Sequence, residues 1–156
     1  MVSIKWCLSQ KDGLRIIEPN ENVSKSYICM AEESISVLKN IGESRIWSAT
    51  TAYYVFYYSL YALMLRIGVK CGIHSCSIGF MKKHLSELYS KIDIEMFEKS
   101  FSARIDLQYY SNRPVDDGVI NETKKYCVDF FVKTKDILSK IGEEEINEIR
   151  RGLNEN

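Results

Sequence analysis

The chain is predicted to be all-α, an antiparallel up-and-down bundle of about five helices, and three observations predict it. Apolar residues recur at steps of three and four through most of its 156 residues, the spacing that gathers them on one face of a helix. No stretch alternates apolar and polar residues with the period of two that a half-buried strand needs. Prolines number only two, and Gly42, Gly68 and Gly142 stand where the helical patterns stop.

Residues 1–18 form an N-terminal arm or short helix. Trp6, Cys7 and Leu8, then Gly13, then Leu14, Ile16 and Ile17, suit a short helix followed by an extended segment. Pro19 and Asn20 punctuate, and Asn22 is the expected N-cap of the next helix. Val23, Tyr27, Met30, Ser34, Leu38 and Ile41 give that helix an apolar face, and Gly42 ends it.

Ser44 is placed to cap a second long helix that Gly68 ends. Within it, the twenty residues from Ile46 to Leu65 carry no charge and hold five of the chain's ten tyrosines. Length permits a membrane span. Five phenols with Ser48, Ser59, Thr50 and Thr51 argue against one, since each hydroxyl needs a partner in hydrocarbon. Tyr53, Tyr57, Leu60 and Met64 make one stripe, and Tyr54, Tyr58, Tyr61 and Leu65 the next. A third stripe, Ser48, Ala52, Val55, Ser59 and Ala62, is small enough to let another backbone come close. A helix apolar on every side is covered on every side, so this one is expected at the centre of the bundle or against a second subunit.

A third helix is expected over about Ser75 to Tyr89. Asp93 is a candidate cap for a fourth, with Ile94, Phe97, Phe101, Arg104 and Gln108 on one face. Asn112, Arg113, Pro114 and the Asp116–Gly118 stretch break the chain. The fifth helix runs from Val119 to Ile141 through Thr123, Cys127, Phe130, Thr134 and Ile137. The bundle proper thus covers residues 19–142, and 143–156 is a charged C-terminal helix or tail in which only Ile146, Ile149 and Leu153 are apolar. Leu38, Tyr57, Phe97, Phe101, Phe130 and Ile137 are the expected core.

Lys plus Arg equals Asp plus Glu at 21 each, so overall charge does not advertise nucleic acid. The start of the chain lacks a charged-then-apolar leader, and five scattered cysteines (Cys7, Cys29, Cys71, Cys76, Cys127) suit reduced thiols. Both point to a cytoplasmic chain. There is no P-loop, no Cys-x-x-Cys and no His-Glu-x-x-His. Cys71, His74 and Cys76 match no standard zinc spacing, so neither metal nor cofactor is expected. His84, between Lys83 and Leu85, is placed on an exposed face and given no role.

Arg104 breaks the pattern of its stripe. A guanidinium cannot shed its charge, so beside Phe97 and Phe101 it must find an anion, find carbonyls or reach water. It is either half of an ordering ion pair or a phosphate ligand beside Tyr109 and Tyr110, whose rings can stack on bases.

Taken together, several residues carry a resemblance. Ala52-Tyr53-Tyr54 opens a helix that ends near Gly68. His74 follows at the start of the next helix, Phe80 lies within two turns, and Arg104 precedes Tyr109 by five residues, all downstream of Glu18-Pro19-Asn20. In this order and spacing, from Glu18 to Ile141, the chain resembles the HEPN family of small all-α prokaryotic domains. The resemblance implies a dimeric helical bundle, a possible partnership with a minimal nucleotidyltransferase in a toxin–antitoxin-like pair, and, for ribonuclease members, metal-independent cleavage by Arg with a His four to six residues later. Here the residues after Arg104 read Ile105, Asp106, Leu107, Gln108, Tyr109 and Tyr110, with no His. Other branches carry an acid–Tyr pair there, and Gln108 replaces that acid. A phenol with an ordinary pKa of ~10 is a poor base at neutral pH. The expected function is therefore a non-catalytic nucleotide- or RNA-binding or partner module, with Arg104, Gln108, Tyr109 and Tyr110 as ligand residues. The alternative is a metal-independent ribonuclease using Arg104 with Tyr109 in place of the His. A homodimer is expected from the resemblance and from the small-residue stripe.

Overall fold

The computed structural model describes residues 2–110 and 112–155; Met1 and Asn156, the outer limits of the predicted arm and tail, lie outside the described residues. The described elements, in order, are α1 (Ile4–Ser9), β1 (Arg15–Ile16), α2 (Glu21–Asn40), α3 (Arg45–Ile67), β2 (Val69–Lys70), α4 (His74–His84), α5 (Lys91–Tyr109), α6 (Asp117–Lys140) and α7 (Glu143–Asn154). Five helices, α2 to α6, fall within residues 19–142 as expected, and α1 and α7 add one each from the arm and the C-terminal segment, seven in all among the described residues. The expectation of no strand is corrected: Arg15 pairs with Lys70 and Ile16 with Val69 in an antiparallel ladder. Two residues per strand are too few to write a period into the sequence.

Four helices make the bundle, and cross-contacts give their directions. Asn20 N–H donates to the Leu65 carbonyl at 3.0 Å, and the Ser24 hydroxyl to the Ala62 carbonyl at 2.7 Å, so α2 and α3 run antiparallel. Tyr53 meets Phe101 and Phe56 meets Phe97, so α5 also opposes α3. Lys99 reaches Glu122 and Lys133 reaches Asp93, which sets α6 against α5. α3 is the central helix, and Tyr53, Phe56, Leu60, Leu63 and Met64 are fully buried along it. Phe56, Phe97 and Phe130 meet ring to ring at 5.0–5.7 Å, with Phe56 stacked on Phe97 and Phe130 tilted against both. Leu38, Tyr57, Phe97, Phe130 and Ile137 are buried as expected; Phe101 is only half-buried and packs on the core from its edge.

Helix ends follow local chemistry, with two corrections. Ser44 caps α3 and accepts from Trp47 N–H. Gly68 ends it with φ 82°, a left-handed conformation that glycine adopts without cost. The cap of α2 is Asn20, not Asn22: its side chain accepts from Val23 N–H at 3.0 Å. The cap of α5 is Ser90, with Asp93 three residues on completing a reciprocal capping box. The third predicted helix ends at His84, short of Tyr89, and Tyr89 instead donates or accepts with Thr134 in the core at 2.8 Å.

The charged C-terminal segment forms α7 over Glu143–Asn154 and is tied into the fold. α7 buries Ile146 and Leu153, and Arg150 Nη1 donates to the carbonyls of Ile17, Ile67 and Gly68 at 2.8, 3.0 and 3.3 Å. His84 is corrected as well: its ring stacks on Phe80 and faces Gly152 of α7, with Nε2 buried. The stripe Ser48, Ala52, Val55, Ser59 and Ala62 is buried by this chain's own helices, so it is not an open face for a second copy. The expectation of five reduced thiols fails, because Cys7 and Cys76 form a disulfide across 69 residues. Among the described residues no helix is long and apolar enough to cross a membrane.

Candidate functional site

Arg104 and Gln108 stand one turn apart on α5, and α3 lays Tyr53 and Tyr54 against the Arg104 guanidinium. The Arg104 guanidinium carbon lies 5.4 Å from the Tyr53 ring centre, 5.8 Å from Tyr54 and 5.6 Å from Tyr109. These are cation–π distances. No carboxylate among the described residues pairs with it, and its Nε is buried without a hydrogen-bond partner. Gln108 Oε1 is likewise buried without a donor. Buried polar atoms in a folded chain are nearly always satisfied; these two lie one turn apart, and Thr50, Ser77, His84 and Ser100 each carry another unpaired side-chain atom among the described residues. The internal ion pair weighed for Arg104 is not formed.

His74 enters the same neighbourhood from the first turn of α4. Its ring lies flat on Tyr57, with centres 4.0 Å apart and planes 3° from parallel. Its Nδ1 hydrogen-bonds the Tyr53 hydroxyl, so Tyr53 touches His74 at its oxygen and Arg104 at its ring. Burial, then the Arg104 charge, hold His74 below its ordinary pKa. Burial, then neighbouring Tyr57, push Tyr53 upward against the opposing pull of Arg104. At neutral pH the phenol keeps its proton, and which of the two atoms donates in this hydrogen bond follows the His74 tautomer. Donation by the phenol leaves N–H on Nε2, a donor to an anion; donation by Nδ1–H leaves a lone pair on Nε2, a base.

The predicted site residues do not all converge. Tyr109 is 65% exposed and covers Arg104 from the solvent side. Tyr110 points away: its ring stacks under Arg113 at 3.8 Å, and Arg113 is paired with Asp106 at 3.0 Å. Tyr110 lines a separate cleft of about 770 Å³ with Arg45, Ile46, Leu107, Arg113 and Pro114, and Arg45 there is already paired with Asp117 at 2.6 Å. Spacing along α5 puts Arg104, Gln108 and Tyr109 on one helix. It missed Tyr53, Tyr57 and His74 as their neighbours, though the Tyr53-Tyr54 pair and the following His74 were conspicuous as a pattern.

The Cys71, His74 and Cys76 trio does not act as a ligand set, because the Cys76 sulfur is bonded to Cys7 and His74 Nδ1 to Tyr53. Among the described residues no group of three or more His, Cys, Asp and Glu side chains is placed to hold a metal ion. No protein-family model matches the chain, and no curated protein matches its sequence.

Proposed function

We propose that the chain is a non-catalytic nucleotide- or RNA-binding module of HEPN type that holds a phosphate at Arg104. One observation carries the reading: a half-buried guanidinium surrounded by three aromatic rings, with its Nε unpaired and no carboxylate among the described residues to neutralise it. Gln108 and His74 add neutral polar side chains to its neighbourhood, and the exposed ring of Tyr109 offers a base a stacking face. The proposed biological setting, drawn from the resemblance, is a homodimer working beside a minimal nucleotidyltransferase in a toxin–antitoxin-like pair.

The test is a labelled single-stranded RNA titrated against wild type, Arg104→Ala and Tyr109→Ala. Binding that weakens with salt, as phosphate contacts release counterions, and that disappears in Arg104→Ala is expected. The variant should stay folded, since it loses cation–π contacts worth about 1 kcal/mol and breaks no ion pair. RNA affinity unchanged by the substitution would defeat the proposal.

A second reading, a metal-independent ribonuclease, is favoured by His74 standing across Tyr53 from Arg104. In it His74, rather than Tyr109, supplies the imidazole that the positions after Arg104 lack. The same RNA incubated with His74→Ala and Tyr109→Ala decides it: cleavage lost only in the His74 variant supports this reading, and intact RNA in every sample rejects it.

A further inference from the structure

The candidate site takes one side chain from α4, and the start of α4 has little of its own to hold it. Its N-cap is Ile73, which makes no side-chain cap, and its first turn carries no acidic residue. At 11 residues it is shorter than an isolated helix needs to persist in water. Tertiary ties fix this turn instead. The Cys71 thiol donates to the Ile73 carbonyl at 3.3 Å, His74 stacks on Tyr57, and Cys76 is bonded to Cys7. His74 and Cys76 sit two residues apart on that turn, one engaged with α3 and the other with α1. The far end of the bond is equally slight: α1 has six residues, of which Ile4 and Cys7 are buried.

We propose that the Cys7–Cys76 bond is a redox latch on the candidate site. Oxidised, it holds the first turn of α4 so that His74 lies flat on Tyr57 near Arg104. Reduced, it frees α1 and that turn, and phosphate binding weakens. The idea rests on reading Arg104 as a phosphate ligand.

The chemistry is thiol–disulfide exchange with a dithiol reductant. One thiolate of the reductant attacks a sulfur of the bond, and its second thiol resolves the mixed disulfide. Two electrons and two protons pass to the protein, leaving Cys7 and Cys76 as thiols and the reductant as its own disulfide. Both sulfurs belong to fully buried residues, so exchange follows local opening of α1. The exchange partner comes from outside the fold. Cys71 and Cys127 are buried, and burial pushes both thiols up, away from the reactive thiolate. Cys29 is exposed on α2, a helix that bears neither end of the bond.

The chain has two histidines, which allows a test with an internal control. Imidazole NMR signals are followed through a pH titration of the oxidised protein and of the protein reduced with dithiothreitol. Alkylation in denaturant verifies the two states by counting free thiols: Cys29, Cys71 and Cys127 in the first, and all five cysteines in the second. The latch requires His74 to titrate low when oxidised and to move toward the ordinary histidine value when reduced, while His84 at the other end of α4 holds its place. The same samples, titrated with fluorescein-labelled single-stranded RNA, should differ in affinity by roughly tenfold. Cys7→Ser should reproduce the reduced state without reductant; if it does not fold, reduced wild type decides alone.

Five free thiols in protein kept from reductant overturn the latch. So does a His74 signal unmoved by full reduction, and so does equal, measurable RNA affinity in the two forms. RNA bound by neither form defeats the phosphate reading instead, and the movement of His74 then decides the latch by itself.

Discussion

Asp93 carries more polar contacts than any other carboxylate described above, and its removal has a calculable effect. Its Oδ2 accepts from Ser90 N–H at 2.7 Å, from the Ser90 hydroxyl at 2.6 Å and from Lys133 Nζ, while Oδ1 accepts from the Tyr126 hydroxyl at 2.9 Å. Asp93→Ala removes half of the capping box at the start of α5, about 1 kcal/mol. It also strips one partner from an ion pair, which costs about 3–5 kcal/mol where the stranded charge stays buried. Lys133 keeps 38% of its side chain exposed and can turn to water, so that contribution shrinks, and the whole loss is expected at about 3 kcal/mol. For a chain of this size that is a fall of about 6–12 °C in Tm. The pH dependence has a definite sign. Burial pushes the Asp93 carboxyl up, but Lys133, Ser90 and Tyr126 outweigh it and leave the folded value below the ordinary one. Asp93 therefore stabilises the fold above the ordinary aspartate pKa, and this is lost as pH falls from there through the lowered folded value. Urea unfolding followed by intrinsic fluorescence, at neutral and at acid pH, measures both effects. A loss under about 1 kcal/mol, or an equal gap between wild type and variant at neutral pH and well below the ordinary carboxylate range, would refute the reasoning.

Phe97→Ala should cost about 3–5 kcal/mol by urea unfolding, because the ring is fully buried between Phe56 and Phe130. Phe101→Ala should cost clearly less, since Phe101 is half-buried; equal losses would contradict that packing. Arg150→Ala removes a donor shared by three carbonyls around the end of α3, of which Gly68 keeps the Ile17 N–H, and should cost about 1–3 kcal/mol, and an unchanged Tm would reject the role given to α7. His74 and His84 are both held low, chiefly by burial, with Arg104 adding for the first and Lys83 for the second. The unfolded chain takes up those protons first, so stability should be full above a pH of ~6.5 and decline as pH falls below it. Thermal melts level from about pH 8 to about pH 5 would show that neither imidazole is buried as described.

What the sequence made legible was local. The ends of α3 were written in Ser44 and Gly68, because a cap and a left-handed glycine act within one turn. The central position of α3 followed from the uncharged run between Arg45 and Arg66. Ser90 and Asp93 were both visible, but either can cap a helix, and only the observed hydrogen bonds assign the cap to Ser90 and the return contact to Asp93. Pairings between distant residues left no local trace. Nothing in Cys7 announces Cys76, and the β1–β2 ladder is two residues long on each side. The candidate site divides the same way: Arg104, Gln108 and Tyr109 share one helix, whereas His74 reaches them only through Tyr53 and the packing of α4 on α3.

The single Nη1 atom of Arg150 joins the end of the N-terminal arm at Ile17 to the end of α3 at Gly68, a reach of 133 residues along the chain. That guanidinium is added to a seam already joined, since Ile17 N–H donates to the Gly68 carbonyl at 2.9 Å and Asn20 N–H to the Leu65 carbonyl at 3.0 Å. The Gly68 carbonyl thus receives from two sides, the arm and α7. Loosening α7 would therefore slacken the arm and the end of α3 together, while the direct backbone bonds keep those two in register.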